Sequence, residues 1–178
     1  EMVPPGRIHQ QICRFVRAKA TSYLVVNTSD IRPVPMTTDY VMRLAWDASE
    51  EMEKTDEQAM RDCFVRFGER QFGEKVAPAL ADIYHDYFTT PYIQKSRRAD
   101  CGLTRSVRTA ARALGEWATD GKKPDEAILE DARKNLPVYE NGRERFKGLL
   151  ARAEALRADV PADRLNFYQF HVLTTLEM

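Results

Sequence analysis

From Thr55 to Leu176 apolar residues return in steps of three and four, turn after turn, and only a helix gathers such residues on one face. Thr55-Asp56-Glu57-Gln58 opens the series as a capping box, with Met60, Cys63, Phe64 and Phe67 at helical spacing behind it. After Gly68 and Gly73, the run Phe72, Val76, Leu80, Ile83, Tyr84, Tyr87 and Phe88 holds one face over several turns. Leu103, Val107, Ala110, Leu114 and Trp117 form the seam of a further helix packed in a bundle. Pro124 suits a first helical turn, with Ile128, Ala132 and Leu136 behind it. Phe146, Leu149, Leu150, Ala153 and Leu156 make another helical face, and Asp159 and Pro161 open a last helix through Leu165, Tyr168, Val172, Leu173 and Leu176. The pattern predicts a mainly α chain, an antiparallel bundle of about five helices, with Leu80, Tyr84, Leu114 and Trp117 in its core.

The first 46 residues read differently. Pro4-Pro5-Gly6 leads into a helix ending near Ala20, with Ile8, Ile12, Phe15 and Val16 on one face. Tyr23-Leu24-Val25-Val26 is a short β-rich run closed by Asn27-Thr28-Ser29-Asp30, the pattern of a strand buried on both faces. One strand cannot satisfy its own ladder, so the rest of a parallel sheet is expected upstream. The opening Glu1-Met2-Val3 fits a cut from something longer. Pro33 and Pro35 keep the next segment irregular, and Thr37 or Thr38 can cap a short helix carrying Tyr40, Val41, Leu44, Ala45 and Trp46. The acidic run Asp47, Glu50, Glu51, Glu53, Asp56 and Glu57 reads as a solvated stretch between two parts of the chain.

Charge excludes some partners. Lys+Arg and Asp+Glu both number 27, so the formal net charge is zero, and nothing draws the chain to nucleic acid or an anionic membrane. No apolar run approaches the roughly 20 residues of a membrane-spanning helix. Cys13, Cys63 and Cys101 lie far apart, as do His9, His85 and His171, so neither a metal nor a cofactor site is expected. Cys63, on an apolar helix face, reads as a small core residue.

The chemistry is concentrated just past the short strand. Asp30 there can act as acid, base or acceptor for sugar hydroxyls, or can merely fold its own turn as Asx residues do. Arg32 can fork onto a carboxylate. Residues 55–178 show no comparable constellation of reactive groups.

The stretch Tyr23-Leu24-Val25-Val26-Asn27-Thr28-Ser29-Asp30-Ile31-Arg32-Pro33, followed by Leu44-Ala45-Trp46-Asp47, resembles glycoside hydrolase family 115. Gln71-Phe72-Gly73, with Ala77, Ala81, Tyr84 and Tyr87, resembles the family's next helices, and Asn166-Phe167-Tyr168-Gln169-Phe170 the end of its bundle. Thr28-Ser29 stands where the family has Val-Gly, Arg32 where it has lysine, and His171-Val172-Leu173-Thr174 lacks its usual Tyr-Pro-Val.

The resemblance implies an α-glucuronidase-like glycoside hydrolase, cleaving a uronic acid or related sugar from a plant polysaccharide such as glucuronoxylan, in which a catalytic (β/α)₈ barrel precedes the bundle. Residues 1–46 would then be the barrel's last helix–strand–helix portion and residues 47–178 the bundle. Asp30, Arg32 and Asn27 would bind substrate at the barrel mouth. The family is regarded as inverting, which needs an acid and a base roughly 6.5–9.5 Å apart. At most one such carboxylate, Asp30, is present, so no catalytic residue is assigned. The partners implied are a polysaccharide or oligosaccharide, the upstream barrel of the same chain, and a second copy in a homodimer; the compartment implied is secreted or periplasmic. The alternative is a non-catalytic helical interaction or scaffold module.

Overall fold

The computed structural model describes residues 3–28, 34–90 and 99–177, the last stretch with its side chains from residue 108 onward. The described residues are mainly helical: α1 Pro5–Arg17, α2 Pro35–Trp46, α3 Asp56–Phe72, α4 Ala77–Thr89, α5 Ala99–Asp120, α6 Glu126–Leu156, α7 Leu165–Tyr168, a π-helix Gln169–Leu173 and α8 Thr174–Glu177. They fall into two compact units, Glu1–His85 with Leu150–Met178, and Asp86–Leu149.

In the first unit α1, α2 and α3 pack against one another. α1 starts on Pro4 and Pro5, whose fixed φ suits a first turn, and stops before Lys19 in the left-handed region at φ 57°. Its buried face is Pro5, Gly6, His9, Ile12 and Cys13, whereas Phe15 is 45% exposed. The apolar face expected from Ile8, Ile12, Phe15 and Val16 is therefore only partly covered. α3 begins with the expected capping box: Gln58 N–H donates to Thr55 Oγ1 at 3.2 Å, and Thr55 N–H to Gln58 Oε1 at 3.0 Å. It ends at Gly73, whose φ of +90° is open to glycine and strained for other residues. The core gathers Phe64, Phe67, Phe72, Leu80, Ile83 and Tyr84 with Tyr168, Val172 and Leu173 from the chain's end. Phe64 stacks on Tyr84 at 5.7 Å between ring centroids, and Tyr168 meets Phe72 edge-on at 5.2 Å. Cys63 is buried among them, as its face predicts.

In the second unit Phe88, Ala113 and Leu149 are buried, and Tyr87 meets Phe146 edge-on at 5.7 Å. Here the expected core is corrected. Leu114 is 53% and Trp117 52% exposed, because the part of α5 that turns inward carries Ala113. The side chains of Cys101, Leu103 and Val107 lie outside the described residues. The two helices expected over 124–136 and 146–156 are one 31-residue helix, α6, which runs through Pro137 despite the missing N–H.

No strand occurs among the described residues. Residues 23–26 are irregular, with Tyr23 84% and Val25 81% exposed, in place of the buried strand predicted. A strand exists by its ladder, and here the backbone of these residues has none.

Candidate functional site

Two stretches far apart in sequence, the start of α2 and the residues around α7, line one cleft of about 580 Å³ in the first unit. One wall is the first turn of α2. Val34 caps it through its carbonyl, which accepts from Thr38 N–H at 3.1 Å and from the Thr37 hydroxyl at 3.4 Å. Pro35 at the first helical position supplies the preset φ, so neither threonine is the N-cap expected from the sequence. Thr37 spends its hydroxyl on the turn; Thr38 Oγ1 is buried with no hydrogen-bond partner.

The opposite wall is helical. Asp163, Phe167 and His171 recur every four residues, as do Asn166 and Phe170, so all five share a face. The π turn at Gln169–Leu173 falls within this face, and such turns are frequent at functional sites. The wall is anchored from behind. Phe167 packs on Phe67 and Phe72, with ring centroids 6.4 and 5.9 Å apart, and the Tyr168 hydroxyl donates to the Ala153 carbonyl at 2.8 Å. Burial pushes the Tyr168 phenol far above its ordinary range, so it stays neutral. In the cleft the His171 ring lies 4.1 Å from Phe167 and 4.9 Å from Phe170, forming an aromatic floor. His171 is buried, while Phe170 is 45% exposed and Asn166 and Asp163 are open to solvent. Asp163 is the one carboxylate on this lining, and Arg164 Nε stands 3.5 Å from it. A single acid beside an aromatic floor can hold a polar ring; it does not make an acid–base pair.

A second polar cluster is sealed. Glu51, at the end of a 3-10 turn Ser49–Glu51, is fully buried. Its carboxylate accepts from Arg43 Nη1 at 2.9 Å, Lys54 Nζ at 3.2 Å and the Tyr40 hydroxyl at 3.3 Å. Lys54 also reaches Asp62 at 2.8 Å. Beside it, buried His9 meets Asp56 Oδ1 at 2.6 Å and the Glu51 carbonyl at 2.8 Å. The acidic run is thus not simply solvated: two of its members tie α1, α2 and α3 together. With no access from solvent, Glu51 serves the fold rather than a substrate.

Of the residues singled out by sequence, Asn27 is exposed, whereas Asp30 and Arg32 lie outside the described residues. Thr38, Asp163 and His171 were not expected as site residues; the signal for His171 was its place in a segment departing from the family pattern. Among the described residues no helix is long and apolar enough to cross a membrane, and no three His, Cys, Asp or Glu side chains gather as a metal site. The family model of glycosyl hydrolase family 115 matches residues 1–98. No curated protein and no solved structure matches the chain.

Proposed function

The chain belongs to glycosyl hydrolase family 115, the match covering over half its length, and from that membership we propose that the whole protein is an α-glucuronidase. It removes a uronic acid from a plant polysaccharide such as glucuronoxylan. The observation that carries this reading is that the matched region contains Asn27-x-x-Asp30-Ile31-x-Pro33, the most specific stretch of the family resemblance. Asp30, Arg32 and Asn27 bind the substrate at the mouth of a (β/α)₈ barrel whose last portion is residues 1–46. Exposed Phe15, Tyr23 and Val25 are the side chains of this portion that the rest of such a barrel would cover. Residues 47–178 close one side of that barrel and offer the surface for a homodimer contact.

The test is kcat/KM of Asp30→Ala in the full-length enzyme on glucuronoxylan fragments. Loss of a charge-assisted hydrogen bond to substrate lowers it by about tenfold to a hundredfold. Unchanged activity with an intact fold would leave Asp30 as a turn former and remove it from the site.

A further inference from the structure

We propose that the cleft between the first turn of α2 and the α7–π-helix face binds a neutral pyranose ring, a main-chain sugar of the polysaccharide and not the uronate that is removed. This rests on the glycoside hydrolase reading above and assigns a ligand to a place that reading leaves empty of role. Size admits a sugar: about 580 Å³ lies within the range of small-molecule sites. One face of a pyranose presents C–H groups and is apolar, and it packs on an exposed aromatic plane such as Phe170 backed by His171. Its rim presents hydroxyls, each donor and acceptor. The Asn166 amide offers both roles and the Asp163 carboxylate accepts.

The Thr38 hydroxyl supplies an independent observation. Thr38 lines the cleft, while its hydroxyl oxygen is sealed from solvent and lacks a hydrogen-bond partner, which is a standing cost to the fold. A sugar hydroxyl removes that cost once the threonine side chain turns its hydroxyl toward the cleft. Charge then selects the ring. Among the described residues no lysine or arginine lines the cleft, while Asp163 does. A uronate entering here would set its carboxylate near Asp163, and the guanidinium beside that acid, Arg164 with Nε at 3.5 Å, is already engaged by it. A neutral ring meets no such penalty.

The experiment titrates the full chain by calorimetry with three probes: xylohexaose, cellohexaose and sodium glucuronate. The expected result is binding of at least one neutral oligosaccharide and none of glucuronate. Phe170→Ala, at a half-exposed position that the fold tolerates, weakens neutral-sugar binding by about tenfold. Thr38→Val keeps the side-chain shape and deletes the orphan hydroxyl, so it raises Tm while weakening binding by about fivefold. A purely structural threonine would not move affinity and stability in opposite directions. Glucuronate binding more tightly than both neutral sugars, or no sugar binding at all, overturns the inference. So does Thr38→Val altering Tm with affinity unchanged. Uronic acid release from glucuronoxylan by the full-length enzyme is measured alongside. Release without neutral-sugar binding sinks the cleft alone; binding without release sinks the α-glucuronidase reading and leaves the cleft standing.

Discussion

Glu51 shows what one residue decides. Burial by itself raises a carboxyl's pKa, and here that is the largest single influence. The hydrogen bonds and charges of Arg43 and Lys54 together outweigh it, so the carboxyl sits below its ordinary value of 4.5. A depressed folded value means that the ionised group adds stability above the unfolded value and loses it as pH falls through the folded one. Stability therefore declines on acidification below about 4.5, with this carboxylate contributing. Glu51→Gln strips the network of its central charge, leaves Arg43 uncompensated, and costs about 3–5 kcal/mol at neutral pH. It also flattens the acid limb of the stability profile. Urea unfolding at pH 7 and pH 4 measures both, and equal stability of variant and parent at pH 7 would deny the cluster its role. Sequence alone could not find this residue. Glu51 stands in an acidic run, and acids before a helix are ordinarily solvated.

At the scale of elements, the packing of α3 on α4 turns on a missing side chain. A Cβ built on Gly68 would lie 2.9 Å from Ala77 Cα, closer than real carbon atoms approach, and the obstacle is backbone. Intrinsic propensity argues the other way, since alanine in a helix interior is favoured over glycine by about 1 kcal/mol. The clash prevails because neither helix can retreat from the ring contacts of Phe64 and Phe67 with Tyr84. Gly68→Ala is expected to destabilise by about 1–3 kcal/mol in chemical denaturation. A stabilised variant would show that helix propensity wins and that the approach of the two helices is loose. These two helices were legible from the chain: the Thr55 box marks the start of α3, Gly73 its end, and the steps through Leu80, Ile83, Tyr84 and Phe88 the buried face of α4. α6 was not: its apolar faces read as two helices, one ending near Leu136 and one opening near Phe146, and the helix runs on between them through Pro137.

For the molecule as a whole the telling feature is apolar surface left uncovered. Tyr23 and Val25 stand more than four-fifths exposed on a segment without ladder partners, and Trp46 is 93% exposed at the end of α2. If residues 1–46 complete a barrel in the whole protein, this surface closes there. Hydrogen exchange should then find the amides of residues 23–26 fast in the 178-residue chain and protected in the full-length enzyme. Protection in the 178-residue chain equal to that of α3 would contradict the exposure described. Fast exchange in both proteins would remove the strand from the barrel proposal.

Periodicity and end signals act over a few residues, so the sequence by itself determined which segments are helical and, for α3 and α4, which face turns inward. Family membership was also legible there, in the stretch around Asn27 and Pro33. Only the tertiary structure decided which apolar faces find cover. Leu114 and Trp117 keep step with a bundle seam and stay half exposed, since a periodic stripe says that a face wants burial and not what lies opposite. The burial of Glu51 and the orphaned hydroxyl of Thr38 belong to the same class. Glu51 is held where elements meet, with His9 of α1 on its carbonyl and Arg43 of α2 on its carboxylate, and Thr38 shares its cleft with Asn166, Phe170 and His171 from the far end of the chain. Long-range packing makes that choice, because the energy of a buried polar group is set by its neighbours in space.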